Sequence, residues 1–295
     1  MLKIKQKDEH PQIAQLVERL VTAVPKNQEK AVSDFTQLYY SATPAQELDS
    51  RKIDDLYGAT LACWSFIQSS TSEGKIRAFN PDFEEHGWQS THTIIEIIHK
   101  DIPFLVDSVR MELNRREMAI HFINHAVLPV SRTKKGTLDL KDCFSDNSDR
   151  QEAVIYIEVD RHSDDKVLKD LNDQLQLIVD EICLVVDDFE TFKNKSTEVV
   201  GWIRESDGPV SKKDTAEAAA FIDWMTANHF TFLGCEDFSV EEKGGKTLVV
   251  RDVKSVCGTF RHELHGSDTV IVNDLSESMR DSILNPELVS FTKSG

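Results

Sequence analysis

The chain has 295 residues, a length that allows one large core or two to three small ones. Its formal net charge of −17 at pH 7 repels phosphate backbones and anionic lipid surfaces, which argues against nucleic acid and membranes as partners. No stretch approaches the roughly 18 apolar residues of a membrane-spanning helix, and no apolar signal core follows the polar start of the chain. The sequence therefore predicts a cytoplasmic protein.

The first 72 residues predict a helical array. Apolar residues recur at helical spacing in residues 10–24 and 29–40, and a broad apolar face extends over residues 53–67. We interpret this array as a packing support for the sheet that follows, because each helix presents one apolar face that needs cover.

The stretch 91–132 predicts a strand, a tight turn, a helix and a second strand. Residues 91–99 alternate with a period of two and carry apolar side chains on both faces, as expected for a strand covered on both sides. The second face of this sheet must then be covered either by the N-terminal helices or by another copy of the sheet. The second case favours an oligomer.

The turn after this first strand contains a proline. Pro103 suits the first turn of a helix, and Asp101 or Ile102 is expected at the cap position before it. An apolar stripe over residues 105–113 forms the helix, and residues 120–130 form the next strand.

The following segments extend this unit to a βαββα pattern. Residues 153–159 predict a strand, and residues 164–192 predict one long helix. This order is that of a ferredoxin-like α/β sandwich. Two segments could supply its remaining strand: residues 75–80, or residues 198–204, which suit a helix equally well.

The last part of the chain predicts a helix and several strands. Gly208 and Pro209 mark a linker, and strand candidates follow at residues 230–240, 246–253 and 269–272. The chain ends just after an apolar segment, which suggests that this part is the start of a truncated module.

The cysteines predict reduced, structural thiols. Five cysteines are far apart, none lies in a C-x-x-C pair, and the chain has no signal peptide. Cys235 and Cys257, together with His262 and His265, are zinc-ligand types, but their spacing matches no zinc motif. No metal is therefore predicted.

His121 and His125 lie on one face of the strand at residues 120–130. Four residues of strand at ~3.3 Å each separate them by about 13 Å, too far to share one metal ion. We interpret both as sheet-surface or interface residues.

No catalytic machinery is evident. None of the 12 glycines falls in G-x-G-x-x-G or G-x-x-x-x-G-K-[ST], so no phosphate-binding loop opens a helix. Spacing assigns no nucleophile to a base. The segment alone is predicted to be inactive and to hold no cofactor.

Several motifs carry a family resemblance. The turn and helix DIPFLVDSVRMEL resemble the first half of an ACT domain, a small module that commonly binds amino acids. Taken in order with it, EEHGWQS, MAIHFINHAVLPVSR, YIEVDR and NHFTFLG resemble the N-terminal region of the large bacterial NAD-dependent glutamate dehydrogenases. The resemblance extends from about Leu56 to Lys293.

This resemblance implies a regulatory and assembly region that precedes a catalytic domain located beyond residue 295. It implies NAD as cofactor of the parent enzyme, and other copies of the chain and the downstream catalytic region as partners. An amino-acid effector is possible. The alternatives are a stand-alone amino-acid-sensing module and an independent metal-dependent enzyme.

One residue departs from the ACT pattern. Ligand-binding ACT domains usually place glycine just after the proline-like position, where the backbone approaches the ligand closely. Phe104 occupies that place here, which favours a structural and interaction surface over an amino-acid pocket. The candidate effector or interface residues are Asp101, Pro103, Phe104, Leu105, Ser108, His121 and His125.

Together these features predict an α+β fold. A helical region covers residues 1–72, an ACT-like, ferredoxin-like sandwich covers residues 73–206, and a partial α/β segment covers residues 207–295. The effector, the oligomer number and the completion of the last segment are left open.

Overall fold

The computed structural model describes residues 10–69, 74–141, 143–145, 148, 150–207, 210–261, 269–272, 276–277 and 280. The chain forms two compact units, Met1–Val179 and Asp180–Gly295. The division into three segments expected from the sequence stays a prediction. The predicted linker at residues 208–209 and the histidines His262 and His265 lie outside the described residues.

The first unit has the predicted α+β character. Its elements are α1 (Pro11–Ala23), α2 (Glu29–Tyr39), α3 (Ala45–Asp49), α4 (Ile53–Ser69), β1 (Lys75–Phe79), α5 (Phe83–His86), β2 (His92–Lys100), α6 (Leu105–Arg115), β3 (Ile120–Val130), β4 (Arg150–Asp160) and α7 (Asp165–Asp187), which continues into the second unit. The helical array and the strand–turn–helix–strand unit are confirmed.

A four-stranded antiparallel sheet organises this unit, in the order β1-β2-β4-β3. The strand that precedes the βαββα pattern completes it, because β1 pairs with β2 from Lys75 opposite Ile98 to Phe79 opposite Ile94. The other candidate for this strand, residues 198–204, lies within a helix.

The N-terminal helices cover one face of the sheet. Ile94 and Ile98 of β2 share a single buried core with Phe35 of α2 and Trp64 of α4. Burying each of these side chains contributes about 1.5–3 kcal/mol. The sequence left two possible covers for this face, the N-terminal helices or another copy of the sheet. The structure shows that the N-terminal helices cover it.

The start of α6 differs from the prediction. The helix begins at Leu105 with Phe104 at the N-cap position, so the expected capping by Asp101 or Ile102 and the placement of Pro103 in the first turn are wrong. The reason is the backbone of Phe104, whose φ of 69° is left-handed and interrupts the helical path between Pro103 and Leu105.

The long helix predicted at residues 164–192 is divided. α7 ends at Asp187, and α8 (Phe189–Glu205) begins after Asp188. The carboxylate of Asp188 accepts hydrogen bonds from the Gly258 backbone N–H at 2.7 Å and from Arg261 at 2.7 Å. Tertiary bonds of this kind leave no trace in helical periodicity.

The second unit continues with α9 (Lys212–Trp224) and a sheet of β5 (Gly234–Lys243), β6 (Lys246–Gly258) and β7 (Thr269–Ile271) in that order. Cys235 and Cys257 lie opposite each other on paired strands, with 5.4 Å between their Cα atoms, and form a disulfide. The prediction of reduced thiols is therefore wrong for this pair, because sequence spacing does not show strand register.

In the part of the chain that the structure describes, no helix is long and apolar enough to cross a membrane.

Candidate functional site

The turn between β2 and α6 presents an aromatic ring. Phe104 leaves 48% of its surface exposed, whereas the next residue, Leu105, is buried. The Phe104 carbonyl accepts the first helical hydrogen bond, from the backbone N–H of Ser108 at 2.9 Å. Asp101 and Pro103 are exposed on the same turn.

The conformation of Phe104 is the one that glycine adopts without steric cost. A left-handed backbone costs a residue with a side chain about 1–2 kcal/mol, and bulky residues rarely adopt it. No side chain caps α6. The turn therefore combines an open helix N-terminus with a half-exposed phenyl ring, which suits contact with an apolar surface better than close approach of a small polar ligand.

His121 lies at an irregularity of β3. The register against β4 shifts between Ile120 and Phe122. His121 Nε2 lies 2.7 Å from Asp160 Oδ1, and this hydrogen bond holds the pKa of the Asp160 carboxyl below its ordinary value. The His121 ring also lies 4.6 Å from the His92 ring, measured between centroids.

His125 lies further along the same strand and is exposed. It is paired in register with Ile155 of β4.

The candidate residues do not form one site. Lys100, which directly precedes the turn, lies opposite Glu152 of β4, whereas His92 lies opposite Asp160. Glu152 and Asp160 are separated by roughly 26 Å along the strand at ~3.3 Å per residue. The turn and His121 therefore occupy opposite ends of the sheet.

A buried ion pair joins the edge strand β1 to its neighbour β2. Glu96 of β2 is fully buried and lies opposite Arg77 of β1, which donates a hydrogen bond to it through Nε. Burial raises the pKa of the Glu96 carboxyl to about 7, against the opposing effect of Arg77. The Arg77 guanidinium also stacks 4.4 Å from the Phe66 ring centroid.

Further polar bonds connect the helices to the sheet. Arg51 donates to both carboxylate oxygens of Glu158, at 2.8 and 2.9 Å. The side-chain amide of Asn124 donates to the Tyr39 carbonyl at 3.0 Å. These bonds satisfy polar groups that the covering helices remove from water.

The sequence analysis did not predict these buried polar bonds, although one residue of β2 indicated them. Glu96 interrupts a run of four isoleucines in a strand expected to be covered on both faces. A carboxylate at such a position needs a basic partner, and that partner is Arg77 on the adjacent strand.

Among the residues that the structure describes, no group of three or more His, Cys, Asp or Glu side chains could hold a metal ion.

Comparison with known proteins identifies the module. Residues 35–175 match the family model described as glutamate dehydrogenase, ACT1 domain. This part of the chain belongs to that domain family. The match begins within α2 and ends within α7, so it includes α3, α4 and all four strands of the first sheet. The resemblance inferred from the motifs is confirmed.

Two relatives extend the similarity beyond the ACT1 domain. The NAD-specific glutamate dehydrogenase of Halomonas elongata is 39% identical over 286 residues, which cover 96% of this chain and 18% of the relative. The NAD-specific glutamate dehydrogenase of Pseudomonas aeruginosa is 36% identical over 269 residues, which cover 89% of this chain and 16% of the relative. The chain thus spans less than a fifth of the length of these relatives.

Proposed function

We propose that this chain is a non-catalytic regulatory and assembly segment of a large NAD-dependent glutamate dehydrogenase. The parent reaction would convert L-glutamate, NAD and water to 2-oxoglutarate, ammonia and NADH. The NAD would bind outside this segment. Partners would be other copies of the chain and the catalytic region of the parent. The cytoplasmic location expected from the sequence belongs to the same proposal.

The ACT1 match over residues 35–175 carries this proposal. ACT modules commonly have regulatory roles, and both relatives are named as NAD-specific glutamate dehydrogenases. The absence of either phosphate-loop motif from the 295 residues supports the non-catalytic part, because hydride transfer needs a held nicotinamide.

An activity measurement tests the non-catalytic part. The purified 295-residue chain, incubated with L-glutamate and NAD, should produce no NADH, and isothermal titration should show no NAD binding. The full-length parent enzyme serves as the positive control in the same buffer. NADH formation by the 295-residue chain would overturn the proposal.

A stand-alone amino-acid sensor is the competing function. Titration calorimetry of the chain with a panel of amino acids separates the two functions. We expect no heat from the wild type, because the phenyl ring and β-carbon of Phe104 stand where a ligand would approach the backbone. Phe104→Gly should create or strengthen binding if access is what limits it. Tight binding by the wild type would favour the sensor.

A further inference from the structure

The disulfide of the second unit joins two cysteines that differ in exposure. Cys257 is buried, whereas Cys235 is partly exposed and lies two positions after the exposed Leu233. In thiol–disulfide exchange a thiolate bonds to one sulfur of a disulfide and the other sulfur leaves, so access decides which sulfur is attacked. A thiol from solution therefore reaches Cys235 Sγ, and Cys257 is the cysteine that leaves.

The surroundings of Cys257 suit the reduced pair as well as the oxidised pair. Cys257 Sγ lies 3.5 Å from the carbonyl oxygen of Cys235, so a thiol at this position has a hydrogen-bond acceptor. The side chain also shares a buried apolar cluster with Val185 and Phe192. A reduced cysteine behaves as a small apolar residue that packs well in such a cluster. Breaking the disulfide therefore leaves Cys257 in favourable contacts.

The remaining cysteines are placed differently from this pair. Cys63 and Cys143 are buried, and burial raises the pKa of both thiols. Because the thiolate is the reactive form, both are poor partners for exchange. Cys183 is partly exposed and has no disulfide. Cys235 and Cys257 are thus the two cysteines that paired strands bring together.

The disulfide lies beside the helix break at Asp188, the residue between α7 and α8. Gly258 follows Cys257 directly and donates its N–H to the Asp188 carboxylate at 2.7 Å. The backbone of Gly258 also lies close to Phe192 of α8, because a β-carbon at this glycine would be 2.7 Å from Phe192 Cζ. The same ring belongs to the cluster of Cys257, against which Cys235 packs. The end of the β5–β6 hairpin that carries the disulfide is thus the end that contacts the helix break.

Strand pairing holds the two cysteines ready to form the bond. Their Cα atoms are 5.4 Å apart, within the range of disulfides, so formation needs no backbone movement. In the cytoplasm, thiol reductants oppose such a bond, and disulfides found there are usually transient and redox-sensing. Exposed disulfides are also more readily reduced than buried ones. For the cytoplasmic location proposed above, these properties favour a bond that forms and breaks with redox conditions.

We propose that Cys235 and Cys257 are a reversible thiol–disulfide exchange site that, when oxidised, fixes the end of the β5–β6 hairpin against the helix break at Asp188. The reaction partner is a thiol reductant. This site deepens the regulatory role proposed above, to which it adds a redox response, and it rests on the cytoplasmic location that belongs to the same proposal.

Reduction of the pair takes two exchange steps. One reductant thiolate bonds to Cys235 Sγ, the bond between the two cysteines breaks, and Cys257 Sγ leaves with the electron pair and takes up a proton. A second reductant thiolate then bonds to the first reductant sulfur, and Cys235 Sγ leaves and is protonated. The cysteine pair gains two electrons, and the reductant becomes a disulfide.

Equilibration of the 295-residue chain in glutathione buffers tests the exchange. The ratio of reduced to oxidised glutathione is varied from about 1:1 to about 1000:1. Free thiols are then alkylated, and mass spectrometry measures the oxidised fraction of the pair. We expect mainly disulfide at the low end of the range and mainly thiols at the high end. A pair that stays oxidised, or stays reduced, across the whole range overturns the proposal.

Cys183→Ser is the matched control, because it removes a partly exposed cysteine outside the pair and should leave the midpoint unchanged. Two further variants test the order of attack. Cys257→Ser leaves the partly exposed Cys235 alone, and Cys235→Ser leaves the buried Cys257 alone. A disulfide labelling reagent should modify the remaining cysteine of the pair at least about tenfold faster in the first variant than in the second. Equal rates, measured by peptide mass spectrometry, would contradict attack at Cys235.

Hydrogen exchange tests the contact with the helix break. Reduction of the wild type should speed exchange in peptides that cover residues 184–192, and Cys257→Ser should show the fast rate with and without reductant. If the exchange rates at the helix break are the same in both redox states, the disulfide does not fix the hairpin there and the proposal is overturned. NADH formation plays no part in this measurement, so its failure is distinct from a failure of the non-catalytic role proposed above.

Discussion

At the scale of single residues, Phe104 adopts a backbone conformation that glycine reaches at lower energy. Phe104→Gly relieves a left-handed strain of about 1–2 kcal/mol and loses little burial, because the ring is 48% exposed. Part of the gain is offset by the greater chain entropy of unfolded glycine. We expect a net stabilisation of about 1 kcal/mol, measured as a rise of the unfolding midpoint in urea.

Phe104→Ala is the matched control for this substitution. Alanine removes the ring but keeps the β-carbon that makes the φ of 69° unfavourable. It should therefore lack the stabilisation. If alanine and glycine gave the same midpoint, the ring rather than the backbone would be the source of the effect.

Glu96 should make the stability of the protein dependent on pH. Its carboxyl has a pKa of about 7 in the folded chain, against an ordinary value of 4.5, because burial disfavours the charged form. At pH values between 4.5 and about 7, a larger fraction of the Glu96 carboxyl is protonated in the folded state than in the unfolded state. The stabilisation is complete below pH 4.5 and is lost as the pH rises through about 7.

The difference in the free energy of unfolding between the wild type and Glu96→Gln separates this effect from that of the other carboxylates. As the pH rises from 4.5 to above 7, the free energy of unfolding of the wild type should fall by on the order of 3 kcal/mol relative to that of the variant. Thermal unfolding of both proteins from pH 4.5 to 8 measures the difference. Parallel curves would show that Glu96 keeps its ordinary pKa.

At the scale of elements, the side chain of Asn172 connects α7 to the edge strand β1 by hydrogen bonds. Asn172→Ala removes the two hydrogen bonds to Ala78 and one to the Leu168 carbonyl, and the two backbone groups of Ala78 lose these partners at a cost of about 1–3 kcal/mol. Chemical denaturation measures the loss. Asp173→Ala on the next, exposed residue is the control and should change stability by less than about 0.5 kcal/mol. Equal effects would contradict the role of Asn172.

The elements themselves were largely predictable, because each has a strong hydrophobic period. Residues 91–99 and 120–130 alternate as strands do, and the structure places β2 and β3 there. The two errors lie at helix ends, at Phe104 and Asp188. Hydrophobic periodicity records neither the left-handed backbone of Phe104 nor the hydrogen bond from Gly258, 70 residues away, to Asp188.

The candidate site was predicted less completely than the fold. The turn and the β3 histidines stay predicted site residues, and the sequence did not indicate how far apart they lie, because strand order decides which ends of a sheet meet. The fourth strand had two candidates, and only pairing of β1 with β2 distinguishes them. The partner of Glu96 was likewise hidden, since Arg77 becomes its neighbour only through this pairing.

At the scale of the whole molecule, the disulfide should act on the second unit alone. Cys235 and Cys257 are separated by 22 residues, and closing a loop of this length contributes about 3 kcal/mol. Cys235→Ser should therefore destabilise β5 and β6 and speed their hydrogen exchange, whereas the exchange rates of β2 and β4 should not change. Hydrogen exchange followed by mass spectrometry resolves the two sets of peptides.

Reductant provides the matched comparison for this variant. Treating the wild type with a thiol reductant should reproduce the exchange pattern of Cys235→Ser, and the same treatment should leave the variant unchanged. Faster exchange in β2 or β4 would show that the disulfide also stabilises the first unit.

The contact between Asn172 and Ala78 also closes the centre of the β1 edge to a further strand. A sheet with one open edge adds a single neighbour and then stops growing, so the product is a closed pair. A sheet with two open edges can add a neighbour on each side, and growth then continues into a fibre. The amide of Asn172 therefore occupies the backbone groups of β1 to which a further strand would bond.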